Sequence, residues 1–311
     1  MDRTRDLGYA AGWRLVRALP QRWARRLFEI GADFAARGGG PDQLRRNLAR
    51  VVATAPSEVP DGLMHASVRS YARYWCEAFR LPSMDPVRVA ESVEASATGL
   101  EHIHESVERG TGTVLALTHS GNWDLAGVWV AQRVSSPIVI AERLRPESLF
   151  RRFVRFRESL GFEIIPLTGG ALPPYERLAA GLREGRIVGL LAERDLTGTG
   201  VPVSFFGEPT RMPAGPARLA IETGAPLLPV NCWFTPDGWG FDVGAPIDTA
   251  GGLRDTTQTL ADRFAKGIAA HPADWHMLQR VWTTDFPTDR SGGHEDPLRR
   301  PIGCPGTEVP E

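Results

Sequence analysis

Between residues 98 and 243 short apolar runs alternate with amphipathic segments, and this alternation constrains the fold more than any other feature of the chain. The runs are TVLAL (113–117), PIVIAE (137–142), FEIIPL (162–167), RIVGLLAE (186–193) and PLLPVNCWF (226–234). Each is short, rich in aliphatic side chains and poor in polar ones until its end, the pattern of a strand buried on both faces. Segments with helical spacing separate them, at 98–110, 125–134, 149–161, 173–185 and 215–224. The alternation predicts an α/β fold: a central, mostly parallel sheet flanked by helices. A PDG turn followed by WGFDVG adds one hairpin, and residues 256–272 read as a further helix before a short WHMLQRVW segment.

About 90 residues of helix precede the first strand. Leu7, Ala11, Leu15 and Leu19 recur near helical spacing, and Trp13, Val16, Trp23, Leu27 and Phe28 widen the apolar surface over 7–36. Pro20 splits this stretch in two. Residues 42–52 and 61–81 read as two more helices, the second dense in aromatics. The whole chain carries a net charge of −1, yet residues 1–50 hold 11 arginines against 5 acids. A balanced total argues against a nucleic-acid partner. Two readings of the arginine- and tryptophan-rich N-terminus stand: helices packed on the domain with solvated arginines, or an anchor lying in a membrane interface. Residues 1–286 are expected to form a single domain. The Gly-, Pro- and charge-rich tail from 287 to 311 is expected to be disordered.

Several function classes fall away. Cys76, Cys232 and Cys304 are scattered, with no pairing pattern of a zinc site or disulfide framework, which favours a reducing, cytosol-facing compartment. His102 with His104, and His271 with His276, lack enough partners for a metal site, so no metal is expected. No 18-residue apolar run exists, and the N-terminus lacks the apolar core of a secretory signal. Lys266 is the only lysine, which removes the P-loop. There is no G-x-S-x-G elbow, no G-x-G-x-x-G after a strand and no H-E-x-x-H. No cofactor is expected.

What remains is THSGNWD, which places His119 and Asp124 just beyond the first central strand, where α/β folds set their sites. A neutral imidazole can take a proton from a hydroxyl, and a carboxylate on its other nitrogen fixes the tautomer. The bland alternative makes Asp124 the cap of the following helix and His119 an ordinary loop histidine. Charges recur at other strand ends: Glu142 closes PIVIAE, and Glu193 closes RIVGLLAE, followed by Arg194 and Asp195. Parallel strands would bring them into one cleft. Arg157 sits on a helix and Arg211 in a Gly/Pro-rich loop, both suited to anions or, equally, to surface salt bridges.

Four blocks in order, THSGNWD, AERLRPESLFRRFVRFRESLG, AERDLTGTGVPVSFFGEPTRMPAGPARLA and APLLPV, resemble the lysophospholipid acyltransferase superfamily, in its lipid A late acyltransferase branch. Within that branch the sequence is most similar to the actinobacterial phosphatidylinositol mannoside acyltransferases, from DLGYAAGWRLVRALP to about Trp282. The resemblance implies transfer of a palmitoyl-like chain from acyl-CoA, as co-substrate, to a mannose hydroxyl of a phosphatidylinositol mannoside. The recipient would be the 6-position of the mannose on inositol position 2. It implies His119 as general base with Asp124 orienting it, and Glu142, Arg157, Glu193, Arg194 and Asp195 as further charged site residues. The glycerolipid branch has an EGTR phosphate motif; the nearest string here, Glu208-Pro209-Thr210-Arg211, departs from it at the glycine, and the resemblance extends to Arg211 as a substrate-binding residue. A peripheral position on the cytoplasmic face of the cell membrane follows, with the aromatic helices at 63–81 and 125–134 lining an acyl channel. Other lipid acceptors, a thioesterase using water, and a non-catalytic lipid-binding module are the competing readings.

Overall fold

The TVLAL run is the middle strand of the sheet. In the computed structural model, which describes residue 12 and residues 15–142, 147–168 and 173–286, β2 (Thr113–Leu117) is buried at all five positions. Its neighbours are β5 (Ile187–Leu191) and β8 (Leu227–Phe234), both parallel to it. Beyond β5 lie β3 (Ile138–Ala141) and β4 (Glu163–Pro166), again parallel, and beyond β8 lies β9 (Trp239–Val243), antiparallel through a hairpin. A two-residue strand, β1 (Ala97–Thr98), closes the far edge, giving the order β1-β9-β8-β2-β5-β3-β4. The expected mostly parallel α/β sheet is thus the sheet observed.

Side chains alternate across a strand, and β2 divides accordingly. Val114 and Ala116 join a core with α8 (Pro174–Arg183), α9 (Gly215–Thr223) and α10 (Gly252–Ala270). Leu115 and Leu117 join an opposite core with α4 (Pro86–Ser96), α5 (Leu100–Arg109), α6 (Trp123–Arg133) and α7 (Glu147–Glu158). A strand with no solvent face has no use for polar residues, which explains why TVLAL has so few. The aliphatic positions of α6, Leu125, Val128 and Val130, and its Trp129, are fully packed in that second core rather than lining a channel.

Among the described residues, α1 (Gln21–Ala35), α2 (Asp42–Val51), α3 (Asp61–Arg80) and then α4 precede the first strand. Residues 15–18 are helical and Pro20 interrupts before α1, as expected. Residues 1–11, Trp13 and the 287–311 tail lie outside the described residues.

One element departs from the sequence reading. The stretch read as a Gly/Pro-rich loop around Arg211 is a β-hairpin of β6 (Val201–Phe205) and β7 (Glu208–Met212). Phe206 and Gly207 form its two-residue turn, both at positive φ (51° and 79°), the conformation of the tightest hairpins. The proline positions Pro202 and Pro209 fall on exposed faces of this two-stranded ribbon, where a missing N–H costs little. Arg211 is therefore a strand residue.

Candidate active site

The parallel register decides which groups meet. Leu117 of β2 pairs with Leu191 of β5, so His119 and Glu193 each stand two residues beyond a paired strand end. His119 Nδ1 lies 2.8 Å from Glu193 Oε1, and the His119 backbone N–H donates to the same oxygen at 2.6 Å. Glu193 is completely buried. Burial alone would raise its pKa, but the charge of His119 and the two hydrogen bonds from that residue outweigh it and hold the carboxyl below its ordinary range. An ionised Glu193 accepts a proton-bearing Nδ1, which leaves Nε2 as the lone-pair nitrogen. The His119 side chain is 19% exposed, and its Nε2 makes no hydrogen bond among the described residues.

This corrects the expected His119–Asp124 pair. Asp124 lies in the first turn of α6, and its side chain points to a different partner. Arg157, in the last turn of α7, binds it through Nε to Oδ1 at 2.9 Å and Nη2 to Oδ2 at 3.4 Å. The Tyr74 hydroxyl donates to Oδ2 at 3.3 Å. Asp124 is not the helix cap either, since Asn122 takes the cap position. For Arg157, burial pulls the guanidinium down, but Asp124 and Tyr74 raise it above its ordinary value. Tyr74 is pushed well up, first by burial and then by the Asp124 charge.

Gly121 makes the loop possible. It sits at φ 56°, and a Cβ there would stand 2.7 Å from the Cys232 carbonyl carbon and the Trp233 nitrogen. Its N–H donates to the Asp274 carbonyl at 2.9 Å, and the His276 N–H donates to the His119 carbonyl at 2.7 Å. Trp275 Nε1 reaches Glu193 Oε1 at 3.4 Å. Behind them Ser70 donates to Asp274 Oδ1 at 2.5 Å and meets His276 Nε2 at 2.8 Å. Burial, then the nearby charge of His119, pushes the His276 ring down to about 3, so it stays neutral. The segment 274–276, of which only Trp275 and His276 were read in the sequence, as the start of the WHMLQRVW stretch, thus pins the histidine loop from behind. Nothing in its local pattern reveals this, because every contact joins residues far apart in the chain.

Trp123 presents its ring to the His119 imidazole, centroids 5.4 Å apart, and stacks on Tyr74 at 4.1 Å. Trp75 continues this wall toward Phe153 at 6.0 Å. Of the other expected residues, half-buried Glu142 follows the C-terminal end of β3, on the same end of the sheet as His119, and its charge acts on Arg194. Asp195 holds its own loop: Oδ1 accepts the Thr197 N–H at 2.9 Å and Oδ2 the Gly200 N–H at 2.6 Å. Arg211 donates to the Gly200 carbonyl at 2.8 Å from the adjoining hairpin.

The bacterial lipid A biosynthesis acyltransferase family matches residues 4–284 of the chain. A phosphatidylinositol mannoside acyltransferase of Mycolicibacterium smegmatis is 59% identical over 286 residues, covering 92% of this chain and 93% of the relative. The phosphatidylinositol mannoside acyltransferase of Mycobacterium tuberculosis H37Rv is 57% identical over 286 residues, covering 92% of this chain and 90% of the relative.

Proposed function

Starting from the fact that the chain belongs to the bacterial lipid A biosynthesis acyltransferase family, we propose that it moves a fatty acyl group from acyl-CoA to a mannose hydroxyl of a phosphatidylinositol mannoside. The acceptor is the one named for both mycobacterial relatives, matched over nine-tenths of the chain. The observation that carries the chemistry is His119, with Nδ1 fixed on buried Glu193, Nε2 without a hydrogen-bond partner among the described residues, and a side chain 19% exposed.

The mannose hydroxyl donates to His119 Nε2 and attacks the thioester carbonyl carbon as Nε2 takes its proton. Glu193 holds the ring and stabilises the imidazolium, the role of the carboxylate in a serine-protease triad, with the acceptor alcohol in place of serine. The C–S bond breaks, and the imidazolium returns its proton to the leaving thiolate, giving the ester and free CoA. The first turn of α6 adjoins His119 and has no side-chain cap, so its amide N–H groups are the donors for the tetrahedral oxyanion. Asp124 acts at one remove, keeping Arg157 and Tyr74 in place behind the aromatic wall of Trp75 and Trp123, along which the acyl chain lies.

Helix α1 brings the enzyme to its lipid. Trp23 (59% exposed), Leu27, Ile30 and Phe34 (70%) share one face and point away from the protein, while Ala24 and Ala32 face inward. A surface helix normally does the reverse. Arg22, Arg25 and Arg26 are exposed beside this stripe, matching an anionic bilayer surface. No described helix is long and apolar enough to cross a membrane. We place the protein peripherally on the cytoplasmic leaflet.

The test is incubation with radiolabelled palmitoyl-CoA and a panel of lipid acceptors. Label in an acylated phosphatidylinositol mannoside supports the proposal. Label in another lipid moves the acceptor, and CoA release without acceptor makes the protein a thioesterase.

A further inference from the structure

Arg194 follows Glu193 directly, yet it faces a different space. It is 91% buried by its 9% exposure, and its Nε has no hydrogen-bond partner. Burial pulls its pKa down, and the charges of Glu142 and Glu193 only partly offset this. Neither acid forms a salt bridge with it among the described residues, and Glu193 is already engaged by His119. A buried guanidinium without a carboxylate partner is costly unless something anionic arrives.

Arg194 lines a cleft of about 240 Å³ together with Arg211, Arg280, Thr283 and Phe286. Arg280 is exposed and makes no ion pair among the described residues; its guanidinium lies 6.0 Å from the Phe286 ring centroid. Arg211 has one N–H engaged by the Gly200 carbonyl. The one acid in the lining, Asp195, has both oxygens occupied by backbone N–H groups of its own loop. The cleft is therefore lined by three arginines and a threonine against one carboxylate that is turned to internal use. Arginine forks match phosphate oxygens, and an aromatic edge beside them suits a ring carried on the ester.

We propose that this cleft, with Arg194 and Arg280 as its principal cations, binds a phosphate ester of one of the substrates. The inference rests on the acyl-transfer reading, for it places a substrate anchor one residue along the chain from the carboxylate that holds His119. Both substrates of that reaction carry phosphate: the nucleotide end of the acyl-CoA and the phosphodiester of the inositol lipid. The chemistry of recognition is the same for either.

Two soluble fragments separate these sources, 3′,5′-ADP for the donor and glycerophosphoinositol for the acceptor. Their binding is measured by calorimetry on the full chain, which needs no turnover. The wild-type protein is expected to bind one of them, more weakly as salt rises. Arg280→Gln, on the surface and safe for folding, is expected to weaken that binding about tenfold or more, the loss of one charge-assisted contact. Arg194→Gln should do the same, while Arg88→Gln, an exposed charge elsewhere, leaves it unchanged. Which fragment responds identifies the substrate. If the wild-type protein binds neither fragment, or Arg280→Gln and Arg194→Gln both bind within twofold of wild type, the proposal is overturned. A wild-type protein that binds a fragment through Arg280 but transfers no acyl group would sink the acyl-transfer reading and leave the cleft standing.

Discussion

Glu193 spends a single oxygen, Oε1, on both the backbone N–H and the ring Nδ1 of His119, at 2.6 and 2.8 Å. One carboxylate thus fixes the loop and the imidazole together, so the ring is referenced to the same buried oxygen as its own backbone. Trp275 adds a third donor to that oxygen. Charge-assisted hydrogen bonds of this kind are about twice as strong as neutral ones.

Replacing Glu193 with glutamine should therefore lower kcat by about a hundred- to ten-thousand-fold, with a small effect on the KM of either substrate. His119→Ala should cost at least as much, and His119→Ala/Glu193→Gln little more than His119→Ala alone. Steady-state kinetics with acyl-CoA and the mannolipid reads this out. Additive losses in the double variant would mean the two residues do not act as a unit.

The Asp124–Arg157 pair behaves differently because it is a buried ion pair. Asp124→Ala leaves Arg157 without its counter-ion and should destabilise the fold by about 3–5 kcal/mol. Asp124→Leu/Arg157→Met removes both charges and should be markedly less unstable than Asp124→Ala. Urea melts of the two variants against wild type give the comparison; equal losses would show that the pair contributes by shape alone.

His276 supplies a pH dependence with a definite sign. Its folded-state value lies near 3, below the ordinary 6.5. Between those values the unfolded ring binds a proton that the native ring does not, so stability falls as the pH drops from about 6.5 toward 3. The slope is up to about 1.4 kcal/mol per pH unit. Glu193, held below its ordinary value, adds its own loss only at the acid end, as the pH falls from the unfolded carboxylate range through its folded value. Denaturation free energies of wild type and His276→Gln at pH 7, 6 and 5 should converge as the pH falls. Parallel curves would refute a neutral buried His276.

Membrane binding should reside in α1. Trp23→Ser and Phe34→Ser each remove an exposed apolar group, worth about 1.5–3 kcal/mol if buried in lipid, and each should weaken association with anionic vesicles by on the order of tenfold. Flotation with and without 0.5 M salt, roughly the range where exposed charges are screened, separates the apolar from the arginine contribution. Unchanged flotation of Trp23→Ser/Phe34→Ser would move the docking surface elsewhere.

Gly121→Ala tests the loop itself. The new methyl meets backbone of Cys232 and Trp233 at 2.7 Å, and no side chain there can yield. Activity should fall with the histidine displaced, in a protein whose melting remains cooperative. Wild-type kcat in that variant would show that the loop has room the structure does not give it.

The sequence by itself determined the alternation of strand and helix, the buried parallel sheet and the location of polar chemistry at strand ends. These are local matters: a strand with two buried faces must be apolar throughout, and its first polar residue marks where it leaves the core. The pairing of groups was decided elsewhere. His119 and Asp124 are five residues apart, yet α6 starts at Trp123 and turns Asp124 toward Arg157. His119 and Glu193 are 74 apart, yet the β2–β5 register sets them side by side. Short spacing fixes proximity only until a helix begins, because each residue then turns through about 100° about the axis. The 274–276 segment behind His119 was likewise invisible, since its contacts come from packing between distant parts of the chain; the hairpin carrying Arg211 is local, and its Gly and Pro residues made it read as a loop.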